Sequence, residues 1–98
     1  MAQTIDDLTI EYVDEGVTTI KQLDKIVLTK GAWSTIVYKY QDWEKAKQAY
    51  SPPRYSIRRY QKRNDQYLLK SKFNISSADQ AQKLIAILNQ WMVEDAKA

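Results

Sequence analysis

Residues 66–85, QYLLKSKFNISSADQAQKLI, contain the change of period that decides the fold. Over 66–74 the strand formers Tyr67, Leu69 and Phe73 alternate with Lys70 and Lys72, the two-residue repeat of a strand with one apolar and one polar face. At Ile75-Ser76-Ser77-Ala78-Asp79-Gln80 the pattern changes. Ser76 with Asp79, or Ser77 with Gln80, makes a capping box. Ala78, Ala81, Leu84, Ile85, Leu88, Trp91 and Met92 then recur at three- and four-residue steps, one apolar stripe along a helix that reaches about residue 94.

Upstream of this junction, residues 25–29, 33–41 and 54–62 are also rich in Val, Ile, Thr and Tyr. Lys30-Gly31-Ala32 and Arg63-Asn64-Asp65 supply turns, so two hairpins are predicted. The longer connection, 42–53, reads as a short helical turn capped by Asp42 and ended by Pro52-Pro53. The fold class that follows is α+β: an antiparallel sheet of four strands, followed by a C-terminal amphipathic helix packed on one face. Residues 8–13 and 17–23, joined at Asp14-Glu15-Gly16, would raise the count to five or six strands. The chain divides into 1–23 as an acidic N-terminal arm or extra strands, 24–94 as a β-β-β-β-α domain, and 95–98 as a tail.

Strand alternation sorts side chains onto two faces. The helix stripe needs an apolar partner, which assigns Ile36, Tyr38, Ile57, Leu69 and Phe73 to the core. Trp33, Lys39, Arg54, Arg58, Tyr60, Lys70 and Lys72 are then expected on the opposite face.

Charge is distributed very unevenly. The formal +3 sums −5 over residues 1–24, +9 over 25–75 and −1 over 76–98, and the central segment also holds nine of the eleven aromatic residues. Phosphates attract fixed positive charge and unpaired bases stack on flat rings, so this overlap points to single-stranded nucleic acid. The competing reading is a protein-interaction module whose basic face is merely solvated, since Tyr and Trp are ordinary strand formers. The acidic arm would either fold elsewhere or screen the basic surface.

With no histidine and no cysteine, the commonest general base, the thiolate nucleophile and most zinc chemistry are missing. Asp6-Asp7 and Asp14-Glu15 are adjacent in sequence, a spacing that sends strand side chains to opposite faces, and Gly16 and Gly31 stand alone rather than in a phosphate loop. No enzymatic activity, metal or cofactor is expected, a magnesium-dependent nuclease being the enzymatic alternative. No apolar run approaches the roughly 18–20 residues of a membrane span, and the acidic start does not read as a signal peptide. The expectation is a cytoplasmic protein without membrane association.

The order of four strands and a capped helix, with Tyr55-Ser56-Ile57-Arg58-Arg59-Tyr60 in the third strand and Lys72-Phe73-Asn74-Ile75-Ser76-Ser77 leading into the helix, resembles the positive cofactor four family of transcriptional coactivators and its bacterial and phage relatives. The resemblance covers about residues 24–93. It implies a homodimer whose curved sheets bind single-stranded DNA, with Arg58 at the place of a DNA-contacting arginine and Lys70 as counterpart of basic residues in the fourth strand. Arg59 stands where the family commonly has an acid, and Lys72 where it has a glycine. The resemblance further implies that helices of two subunits pair, which makes Leu88, Trp91 and Met92 candidate dimer contacts.

Overall fold

A computed structural model describes residues 4–97; residues 1–3 of the expected arm and residue 98 of the expected tail lie outside the described residues. The chain is α+β, a bent antiparallel sheet followed by one helix. A single 3-10 turn, Ile5–Asp7, precedes β1 (Tyr12–Asp14), β2 (Val17–Thr29), β3 (Trp33–Glu44), β4 (Ala49–Tyr50), β5 (Arg54–Arg63), β6 (Gln66–Ile75) and α1 (Ala78–Ala96). The strands lie in the order β1-β2-β3-β5-β6, with β4 paired to β3. β6 is therefore an edge.

Two hairpins turn through paired positive-φ residues: Glu15 (φ 49°) with Gly16 (φ 80°), and Asn64 (φ 51°) with Asp65 (φ 60°). This geometry matches the right-handed twist of the flanking strands, and Gly, Asn and Asp reach it at least strain. Bulges between Gln22 and Asp24, between Val27 and Thr29, and opposite Arg59 and Tyr60 bend the sheet, each inserting a residue without a cross-strand partner. In β6 that residue is Lys70.

The connection at 42–53 differs from the expected helical turn. β3 continues through Trp43 and Glu44, then returns as β4, pairing Trp43 with Tyr50. Their rings meet edge to face at 5.1 Å, and the Tyr50 hydroxyl donates to the Thr18 carbonyl at 2.8 Å. These long-range contacts outweigh the local capping tendency of Asp42, whose carboxylate instead accepts from Arg54. β2 itself runs from Val17 to Thr29, across residue 24.

The main core cluster lies on one face. Ile36, Tyr38, Tyr40, Tyr60 and Tyr67 pack under Ile5, Leu8 and Ile10 from the N-terminal segment. That segment is tied across β2: the Lys25 ammonium donates to the Ile5 and Leu8 carbonyls, and Gln22 Oε1 accepts from Ile10 N–H at 3.1 Å and from Thr9 Oγ1 at 2.9 Å. Ile36 and Tyr38 are buried as expected, whereas Ile57 is half-buried and Leu69 and Phe73 are exposed. For Ile57 and Phe73 the register explains the difference, since Tyr38 pairs with Ser56 while Ile57 pairs with Val37 and Phe73 on the reverse side; Leu69 pairs with Tyr60 on the core side and is exposed on the edge strand. A displacement of one residue transfers a whole strand's apolar set to the other face.

Ser77 caps α1, its Oγ accepting from Gln80 N–H at 3.1 Å, while Gln80 Oε1 accepts from Ser76 N–H at 3.2 Å. The Ser77 and Gln80 pairing is the one realised. The packing of the stripe is not as expected: Ile85 is 57% exposed, Leu88 45%, and Trp91 and Met92 58% each. Only the first turns meet the sheet, where Leu84 and Gln80 form a cleft with Phe73, Asn74 and Ile75. One sheet face is already occupied by the N-terminal segment, and the helix leaves the other at the β6 edge.

Candidate nucleic-acid interface

Pairing of β5 with β6 sets Arg58 directly opposite Lys72 and Ser56 opposite Asn74, on the face that the N-terminal segment partly covers. Ser56 Oγ donates to Asn74 Oδ1 at 2.7 Å and accepts from Arg58 Nε at 3.3 Å, so the guanidinium is held from below. Among the described residues, ion pairs join Lys47 to Glu44, Arg54 to Asp42 and Lys83 to Asp79; none involves Arg58 or Lys72. Like charges directly across a strand pair repel. A polyanion lying over both would remove that cost.

Further along the same face, Lys62 lies opposite Tyr67, with its ammonium 5.7 Å from the ring centroid. Beyond it, a cavity of about 400 Å³ is lined by Thr4, Ile5, Asp6, Val27, Lys30, Lys62 and Tyr67. Asp6 thus brings an acid of the N-terminal segment beside Lys30 and Lys62, at the far end from Arg58.

The seven expected interface residues do not share one face. Arg54, Arg58, Tyr60 and Lys72 lie on the Tyr38 side, and Arg54 is neutralised by Asp42. Trp33 and Lys39 are on the reverse side with Val37, paired with Gln61 and Tyr55. Lys70 is exposed at the bulge. The separation has the same cause as the displaced core: alternation within each strand was legible, but the match between strands was not.

Tyr60 is a correction of a different kind. It is only 5% exposed, and its hydroxyl meets that of Tyr38 at 3.0 Å. A buried ring cannot stack on a base. Tyr60→Phe should therefore leave oligonucleotide affinity unchanged while costing about 1 kcal/mol of stability for the missing hydrogen bond. Parallel denaturant and oligonucleotide titrations check both parts. Burial, and then the bond to Tyr60, raise the Tyr38 pKa well above the ordinary phenol value, with Arg58 acting weakly against them. Tyr40 is raised by burial and next by Asp42.

Sequence reasoning passed over the Ser56 and Asn74 support, and also Arg59, whose guanidinium stacks 4.4 Å from the Trp33 ring centroid on the reverse face. Arg59 was legible in principle, because it stands an odd number of residues from Arg58 and Tyr60 in an alternating strand. The Ser56 and Asn74 pairing was not, because it depends on the Lys70 bulge. Comparison of the chain with protein-family models, with curated proteins and with solved structures finds no match.

Proposed function

We propose that the protein is a non-enzymatic single-stranded nucleic-acid-binding protein, with DNA the preferred ligand, bound along the β5 and β6 strip of Arg58, Lys72, Lys70 and Lys62. The observation that carries this reading is the cross-strand pair Arg58 and Lys72, two cations without an acidic partner among the described residues, on a hydrogen-bonded base of Ser56 and Asn74. It agrees with what the resemblance to the positive cofactor four family implies for Arg58, and with a role as an accessory factor in transcription or replication. No helix among the described residues is long and apolar enough to cross a membrane, and the proposed site of action is the cytoplasm. The exposed Leu88, Trp91 and Met92 favour a homodimer as the working form.

The test is a titration of single-stranded and duplex oligonucleotides at two salt concentrations. Four phosphate contacts would give a slope of log affinity against log salt of about −3 for single strands. Tighter binding of single strands is expected, because a bent strand pair offers its cations along one narrow line. A flat salt response, or equal affinity for duplex, would favour the protein-interaction reading instead.

A further inference from the structure

The chain by itself is too open for its mass. Its accessible surface is 7226 Å², whereas a compact monomer of 11.5 kDa exposes about 5,800 Å². Its radius of gyration is 16.0 Å, against about 12.6 Å for a compact chain of 98 residues. Among the described residues, two apolar surfaces lie uncovered. One is the α1 stripe of Ile85, Leu88, Trp91 and Met92. The other is a row on the open sheet face, where Ile26 pairs with Val37, Val37 with Ile57 and Ile57 with Phe73. Ile26 is 62% exposed and Phe73 57%.

A helix stripe and a sheet row are complementary shapes, yet within one chain they stay apart beyond Leu84. We infer that two copies exchange helices, α1 of each lying with Leu88, Trp91 and Met92 across the Ile26, Val37, Ile57 and Phe73 row of the other. This rests on the homodimer reading above and names the surface that the helix covers. The lengths agree: the 12 residues of α1 beyond Leu84 extend about 18 Å, enough to cross the three gaps of about 4.8 Å between four strands. So does the area. Removing an excess of about 1,400 Å² from each copy buries about 2,800 Å² in total, within the range of obligate homodimers. The exchange is reciprocal, so it closes as a two-fold dimer and leaves no free end for further growth. It also leaves the Arg58 and Lys72 face uncovered on both copies.

Light scattering on the full chain at tens of micromolar should give twice the chain mass, and Trp91→Glu should return it to the chain mass with helical circular dichroism retained. The chain has no cysteine, so single cysteines report proximity cleanly. Ile57→Cys and Leu88→Cys chains, mixed and treated with a short bismaleimide, should give a linked dimer joining one of each kind. Leu88→Cys alone should give little. A monomer at this concentration would overturn both the homodimer and the helix exchange. A dimer in which Leu88→Cys links only to itself would keep the homodimer and overturn the exchange in favour of helix-to-helix pairing. Nucleic-acid binding is read separately by the oligonucleotide titration.

Discussion

Replacing Arg58 and Lys72 together by Ala is expected to weaken binding of a single-stranded oligonucleotide on the order of 100-fold, at about 1.4 kcal/mol for each charge-assisted hydrogen bond to phosphate that is removed. The salt slope should become shallower by about 0.7 for each phosphate released, and the loss should be similar for every base sequence, because phosphate contacts carry no sequence information. Folding should respond in the opposite direction. Arg58 faces Lys72 with no acid among the described residues paired to either, so removing both relieves a repulsion, and the unfolding midpoint should hold or rise slightly. Unchanged affinity in a folded double variant would place the ligand elsewhere or make the ligand something other than a polyanion.

The largest stability effect should come from Tyr38→Ala. Tyr38 has no exposed surface and lies at the centre of the tyrosine-rich core under the N-terminal segment. Truncating a buried aromatic side chain costs about 3–5 kcal/mol, a large share of the roughly 5–15 kcal/mol that holds a domain together. The same residue predicts a pH dependence of definite sign. Its folded pKa is raised, as is that of Tyr40, so the unfolded chain loses these protons first as pH climbs. Their contribution is complete below about pH 10, the unfolded phenol value, and falls above it, for Tyr38 by up to about 1.4 kcal/mol per pH unit. Denaturant midpoints measured from pH 8 to pH 11 should stay level and then drop. In Tyr38→Phe the drop should be shallower, and an identical profile would mean that Tyr38 is not the group responsible.

What the sequence disclosed was local. The Ser77 and Gln80 cap, the Asn64-Asp65 turn and the alternation along β5 all depend on residues within a few positions of one another, and each is realised. Register is a relation between strands. Counting back from the Asn64-Asp65 turn pairs Lys62 with Tyr67 and Tyr60 with Leu69 correctly, but beyond Lys70 every pair moves by one, bringing Lys72 opposite Arg58. Nothing in the residue types around Lys70 announces that bulge. The core was misjudged for a related reason: an amphipathic helix is normally paired with the nearest apolar sheet face, while Ile5, Leu8 and Ile10 sit in an acidic stretch that reads as solvated. Their apolar side chains, fixed by Lys25 and Gln22, decide which face is the inside.

As the edge strand, β6 presents ten residues whose outward N–H and C=O groups could pair with another strand, and a long regular edge is a template for open-ended aggregation. Its bulge breaks the flat repeat that such stacking requires, and the residue extruded there is a lysine, followed two positions later by another. An incoming strand would have to bury those charges against an irregular backbone. The feature that moves Lys72 into line with Arg58 therefore also blunts the sheet edge, so the proposed binding strip and the protection of that edge rest on the same stretch of β6, Lys70 to Lys72.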